Sequence, residues 1–355
     1  MKKQMSGITL ASIYIGTVIG AGFASGQEII QFFVRYGKLS ILGIFVATIL
    51  FCILGVKLLQ IVYSKKINRL EDFLYLYFKR KTIIFINIWL IGLLFVTFFI
   101  MLAGSGAIFK EYFQIDQLYG IIFMAFICFI VLITGVNGIA KANILLIPFL
   151  IIIICYIGIY VVYNNTFIFS QLAPDNIFKI SEFSLDLNSL IWLGSAILYV
   201  AFNSISVIVV FSSLRSLIVE KKCAVYGGVL GGVGLGLMAL LINLSLLILY
   251  NDIVGLEVPM IAIASTVGYV SKRLYSVVLL VAMFTTAIAN GYGCVLRISN
   301  LLKINEKITS LLVCCISVPM AALGFKRLVT FFYPIFGYIG VLFLAALIIK
   351  GKKMN

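Results

Sequence analysis

The residues best suited to chemistry lie near the start of the chain, in Gly16-Thr17-Val18-Ile19-Gly20-Ala21-Gly22-Phe23-Ala24-Ser25-Gly26-Gln27-Glu28. The four glycines of this run weaken a helix, yet apolar sequence on both sides keeps it inside a bilayer. Backbone released from helical hydrogen bonds at that depth persists only where protein buries it or a polar cavity receives it. An unwound stretch here predicts a binding site, in which the main chain around Thr17, Gly20, Ala21 and Gly22 offers its polar groups to a solute. A second reading stands beside it: Gly16 with Gly20, and Gly22 with Gly26, fit the G-x-x-x-G spacing of a close-packed, continuous helix.

Glu28 adds a carboxylate, a group that is costly inside a membrane and a functional candidate by default. Gln31 and Arg35 follow at steps of three and four, on the same stripe. They mark either a polar path leading to Glu28 or a hydrated helix end near the interface. If Glu28 is shielded, it becomes a candidate for proton coupling. Further on, Tyr199, Asn203 and Ser206 fall at helical steps, so they can face a central solute together or satisfy one another across a packing face.

Other chemistries are poorly supplied. The chain has no histidine, and its seven cysteines are scattered through apolar sequence without a C-x-x-C pair, so neither a metal site nor a disulfide is expected. Cys314 and Cys315 are adjacent within a helical run, where buried thiols act as small hydrophobes. Paired-carboxylate motifs and a Walker glycine loop are both missing, which argues against an enzyme. The net charge of +15 follows topology rather than forming a nucleic-acid face.

The elements that must position these residues are membrane helices. At 63% hydrophobic and 11% charged residues, the chain cannot cover a soluble globule with polar surface. A single all-α transmembrane domain spanning 1–355 is expected, with ten crossings near 8–35, 39–63, 83–109, 118–138, 142–163, 189–213, 224–250, 273–297, 308–324 and 328–349. Residues 68–78 read as a short amphipathic helix at the interface, 164–188 as the longest polar gap, and 251–272, with Pro259, as a re-entrant or capping hairpin. The start Met1-Lys2-Lys3-Gln4 is followed by an apolar run without a small-residue cleavage site, so the first segment is expected to be retained. With the N-terminus inside, basic residues divide 18 to 8 in favour of the inner side, with Lys57 left in the second crossing. That split places both termini in the cytoplasm and the protein in the cytoplasmic membrane.

Ten crossings allow two halves of five, about 8–163 and 189–349, inverted because each half has an odd number. The sixth crossing then mirrors the first, and its polar run Tyr199 to Ser206 predicts a second interruption. A fainter echo joins Ala103-Gly104-Ser105-Gly106 with Ala289-Asn290-Gly291-Tyr292-Gly293.

The run Gly16 to Glu28 resembles the start of the YkvI-type bacterial membrane proteins, a group that looks like a branch of the amino acid/polyamine/organocation transporter superfamily. The resemblance covers the whole chain in length and helix count, and this run is its specific motif. It implies the leucine-transporter fold, with inverted five-helix repeats and the solute held between interrupted first and sixth helices. Relatives often carry glycine at the sixth-helix break, where this chain has Asn203-Ser204. In sodium-coupled members an ion sits between the first and eighth helices. The match assigns the carbonyls of Gly16, Ile19 and Ala282 and the hydroxyls of Thr285 and Thr286 to sodium, an oxygen set suited to a hard cation. From the residues alone, both threonines can equally bond back to carbonyls of their own helix.

The expectation is a secondary active transporter that moves an amino acid or similar small organic solute by alternating access, coupled to sodium or protons. The alternative is a membrane nutrient sensor that uses the same fold to bind without transporting.

Overall fold

The computed structural model describes residues 7–134, 139–165 and 190–351. Among these the chain is helical throughout, with short turns and no strand. The first crossing is divided into α1 (Gly7–Val18), α2 (Ala21–Ser25) and α3 (Gln27–Phe32). After it come α4 (Leu39–Ser64), α5 (Leu70–Tyr77), α6 (Arg80–Phe113), α7 (Gln117–Thr134) and α8 (Ile139–Asn164). The remaining helices are α9 (Ile191–Phe211), α10 (Lys221–Ile248), α11 (Tyr250–Ile253), α12 (Pro259–Val267), α13 (Tyr269–Leu302), α14 (Glu306–Ala321) and α15 (Phe325–Gly351).

Eight of these, α4, α6, α7, α8, α9, α10, α13 and α15, contain runs long and apolar enough to cross a membrane. Two expected crossings fall short of that length as single helices: α1 has 12 residues and α14 has 16. The end of the expected fourth crossing at 135–138, and the expected polar gap from residue 166 on, lie outside the described residues. At 34 residues each, α6 and α13 are about 50 Å long, against about 30 Å of hydrocarbon. Their ends, Glu111 among them, therefore stand at the polar margins.

The amphipathic segment forms as expected. Phe73, Leu74 and Tyr77 of α5 are buried, whereas Glu71, Asp72 and Tyr75 are exposed. The 251–272 hairpin is a compact pair, α11 and α12. Pro259, whose missing N–H costs nothing at a helix start, opens α12, and Met260, Ile261 and Ile263 bury it. All seven cysteines are free thiols.

The interruption expected in the sixth crossing does not occur: α9 runs unbroken through Tyr199 to Ser206. Its polar side chains find partners one turn back. Asn203 Nδ2 donates to the Tyr199 carbonyl at 3.0 Å and Ser204 Oγ to the Ala201 carbonyl at 2.7 Å. A helix that satisfies its own polar groups in this way has no need to unwind. The glycine echo between the third and eighth crossings also resolves into packing. A Cβ on Gly104 would press against Met283 of α13, and one on Gly291 against Phe98 of α6.

The scaffold around the first crossing is a glycine seam on α10. Gly228 and Gly232 let α10 approach the backbone of α4 so closely that a Cβ on Gly232 would lie 2.6 Å from the Cys52 amide nitrogen. Gly231 receives the ring of Tyr14, whose hydroxyl donates to the Phe51 carbonyl at 2.8 Å. Close backbone approach of this kind supplies van der Waals contact where lipid offers no hydrophobic drive. Gly232→Val is therefore expected to lower stability by about 1–3 kcal/mol. Gly92→Ala, with nothing within 4 Å of the new methyl, should leave stability unchanged or raise it by up to about 1 kcal/mol. Thermal unfolding in detergent measures both, and equal effects would remove the seam from the account.

Candidate functional site

The first crossing breaks where its glycines are. The ladder of α1 ends when the Gly20 amide turns from the Gly16 carbonyl to that of Val18, at 3.0 Å. Gly20 itself is extended, with φ −112° and ψ −172°, and the chain re-enters a helix when the Ala24 amide donates to the Gly20 carbonyl at 3.0 Å. A second bend follows at Gly26, which at φ 87° occupies left-handed space that favours glycine. Ser25 stitches this bend: its hydroxyl donates to the Gly22 carbonyl at 2.6 Å and accepts from the Gln27 amide at 3.2 Å.

The glycines do not form a G-x-x-x-G seam, because each meets different surroundings. Gly16 faces Ile147 of α8, whereas Gly20 has open space where a side chain would be. Gly26 lies against Met260 and Pro259 of α12. On Gly22, a side chain would collide with Glu28 Oε1 and come within 2.9 Å of the Tyr333 hydroxyl. The absence of a Cβ at Gly22 is thus what admits the Glu28 carboxylate.

Glu28 is 6% exposed, so it is not a hydrated rim residue. Its Oε2 and the hydroxyl of Tyr199 are both buried without a hydrogen-bond partner among the described residues. The two groups lie close enough to interact electrostatically, as do Glu28 and Tyr333. Around them is an aromatic wall: Tyr199 packs on Phe32 at 5.3 Å, Phe33 at 5.0 Å and Phe51 at 5.8 Å, and Phe202 stacks on Tyr333 at 4.6 Å. Buried polar groups are almost always paired, so two unpaired ones in one neighbourhood point to a missing partner.

The other candidate residues separate into groups. Ala21 and Gly22 are buried, Thr17 and Gly20 are half-buried, and Thr17 Oγ1 donates back to the Ile13 carbonyl at 2.7 Å. Tyr199 and Asn203 are buried on α9, while Ser206 below them is exposed. In the expected cation set, Thr285 Oγ1 donates to the Ala282 carbonyl at 3.1 Å, which is the self-satisfying geometry. Ala282, Thr285 and Ile19 are buried, Thr286 and Gly16 half-buried. The released Gly16 carbonyl and the threonine hydroxyls are oxygen donors of the kind a hard cation takes. Among the described residues no group of three or more His, Cys, Asp or Glu side chains could hold a metal ion.

Sequence reasoning missed a latch beside α3. Gln27, 1% exposed, donates through Nε2 to the carbonyls of Leu256 and Glu257 at 2.8 and 3.0 Å. The Glu111 carboxylate accepts from the amides of Glu257 at 2.5 Å and Val258 at 3.1 Å. Glu257 Oε2 in turn accepts from the Lys326 amide at 2.9 Å, and Lys326 Nζ donates to the Val254 carbonyl at 2.7 Å. The turn before α12 is thereby tied to α3, α6 and α15. The hydroxyl of Tyr275 on α13 also donates to the Ala24 carbonyl, fixing α2. From the sequence, Glu111 and Lys326 register only as charges near helix ends, and nothing in their spacing links them to residues so distant in the chain.

No family model matches the chain. Two Bacillus subtilis (strain 168) proteins are homologous over nearly its whole length. The uncharacterized membrane protein YkvI is 29% identical over 351 residues, covering 98% of this chain and 97% of its own. The uncharacterized protein YyaD is 25% identical over 346 residues, covering 97% and 96%. Among solved structures, a point mutant of the Eremococcus coleocola manganese transporter superposes with a TM-score of 0.60 at 15% identity, covering 94% of this chain and 76% of that one. The same transporter in complex with an aromatic bis-isothiourea substituted compound gives 0.56 at 14%. The chain is thus a membrane protein homologous to YkvI and YyaD, with the fold of a transporter.

Proposed function

We propose that the protein is a secondary active transporter that carries a small organic solute, of amino-acid type, through a site at the break between α1 and α2. The observation that carries this reading is the pairing of open space at Gly20 with a buried, unpartnered Glu28 carboxylate over Gly22. Main-chain groups around Gly20 to Gly22 would hold the solute's polar atoms, the N-terminus of α2 would favour its carboxylate, and Glu28 with Tyr199 would meet its ammonium group. Taking α1–α3 as one crossing and α14 as another gives ten, in two inverted halves, with both termini cytoplasmic.

An asymmetry of the site's two sides supports alternating access. The latch through Gln27, Glu111 and Lys326 closes the α3 side, while exposed Ser206 and half-buried Thr17 leave the opposite side more accessible. Transport would require the latch to open as that second side closes. Sodium on Gly16, Ile19, Ala282, Thr285 and Thr286 would couple the cycle. Proton transfer at Glu28 is the second coupling reading, favoured by its burial. Manganese, named for the structural neighbour, suits this donor set less well, because it prefers several carboxylate or water oxygens and the break offers one carboxylate.

Gly20→Leu tests the site directly. The extended backbone accepts any residue and the side chain enters open space, so the variant should fold normally and lose saturable uptake in proteoliposomes. Glu28→Gln should lower uptake about tenfold or more, the equivalent of at least about 1.4 kcal/mol of binding. Normal uptake by Gly20→Leu would move the site elsewhere, and saturable binding without flux in the wild type would make the protein a sensor. Screening amino acids and Mn²⁺ by thermal shift, with and without sodium, identifies the solute class.

For coupling, sodium-dependent uptake should fall in Thr286→Ala. Sodium-independent uptake that survives Thr286→Ala but not Glu28→Gln would assign coupling to protons. For the latch, Glu111→Gln replaces a charged acceptor with a neutral amide and should speed hydrogen exchange of the Glu257 and Val258 amides by about tenfold. Unchanged exchange would show that the latch does not hold that side closed.

A further inference from the structure

A crevice of about 520 Å³ lies between α3, α9 and α15 and shares Phe32 with the aromatic wall. Its floor and one wall are apolar, formed by Ile191, Ile197 and Leu198 of α9 and by Tyr338 and Val341 of α15. Ile191, Ile197 and Tyr338 are 53%, 41% and 62% exposed on helices long enough to span a bilayer, so this wall faces lipid. Arg35 stands at the rim, on the turn where the first crossing leaves the membrane. Its guanidinium has only a weak hydrogen bond, NH1 to the Gln31 carbonyl at 3.5 Å, and the Tyr36 ring at 5.6 Å. Among the described residues no carboxylate pairs with it. The trough also has a gap in its side: a Cβ on Gly194 would meet nothing within 4 Å.

We propose that this crevice is a binding site for one anionic phospholipid, with its phosphate on Arg35 and an acyl chain along the trough between α9 and α15. Each part of the ligand is chosen by a part of the site. A guanidinium presents parallel N–H donors to phosphate oxygens, and a bidentate pair of this kind is stronger than one between neutral groups. The apolar wall of the groove offers water few hydrogen-bond partners, so hydrocarbon suits it better than water does. The volume is about what one acyl chain displaces. A soluble phosphate compound would satisfy Arg35 and leave the trough unfilled, so the full geometry selects the lipid. The floor is tied to the transport helix by Ser195 Oγ, which donates to the Phe32 carbonyl at 2.7 Å. A bound lipid would therefore brace α3 against α9.

The test is native mass spectrometry of the full chain released from detergent micelles supplied with phosphatidylglycerol or phosphatidylcholine. The wild type should retain one phosphatidylglycerol in preference to phosphatidylcholine. Arg35→Ala should weaken that retention about tenfold, the change expected from losing a charge-assisted hydrogen bond, and Arg35→Lys should recover part of it. Gly194→Leu, which adds a good helix former without touching Arg35, should fill the trough and weaken retention while thermal stability is maintained. Equal retention of the two lipids, or no effect of Arg35→Ala, would overturn the site. Loss with Arg35→Ala but not with Gly194→Leu would place the lipid on the surface charge alone and reject the crevice. Glycerol phosphate competing as well as the lipid would show that no acyl chain is bound.

Discussion

A polypeptide that leaves the helical ladder inside a membrane must find new partners for every freed N–H and C=O, and the first crossing depends on how it meets that demand. Between Val18 and Gln27 the chain bends twice, and nearly every step is compensated locally. Gly20 turns to Val18, Ala24 bonds Gly20, and Ser25 bridges Gly22 and Gln27. Tyr275 reaches from α13 to take the Ala24 carbonyl. The Gly16 carbonyl loses its ladder donor where half-buried Gly20 opens into space.

The same constraint explains what could be read from the sequence and what could not. Long apolar runs separated by short polar turns are a one-dimensional signal, so α4, α6, α7, α9, α10, α13 and α15 sit near their expected positions. The break was legible because glycine weakens a helix wherever it sits. Glycine content alone did not separate a seam from a hinge: Gly228 and Gly232 of α10 pack against α4, whereas Gly20 opens into space. What separates them is polar sequence nearby, Ser25-Gln27-Glu28 in one case and none in the other. The polar run of α9 misled for the complementary reason. Asn203 and Ser204 can donate to carbonyls one turn back, so polar residues in a membrane helix do not by themselves break it. The latch was illegible because its bonds join positions from 69 to 230 residues apart and run to main-chain atoms, which carry no residue signature.

The latch also shows how a short turn can be fixed by hydrogen bonds from three helices. The turn before α12 offers two amides to Glu111 and two carbonyls to Gln27, while Ile253 and Val258 bury its apolar side. Such a closure is strong enough to exclude solvent and can be exchanged, bond for bond, for water when it opens. Packing as tight as the α10 seam could not serve, because separating those backbones would forfeit contacts that lipid does not replace. The turn before α12 and the α10 seam are thus held by different forces.

A broken first crossing beside a continuous α9 makes the two walls of the proposed site chemically unlike. On one side stand main-chain groups of Gly20 to Gly22, which accept or donate to almost any polar solute. On the other stand the rings of Tyr199, Phe202 and Tyr333, and the single carboxylate, Glu28, lies over Gly22 on the first wall. In so apolar a setting one negative charge balances one positive charge, and any further charge would have to be carried in unpaired, at a cost of several kcal/mol or more. A divalent ion stripped of its water would leave one positive charge in excess of this single carboxylate. Charge balance, more than shape, is therefore the property on which the proposed site would discriminate among solutes.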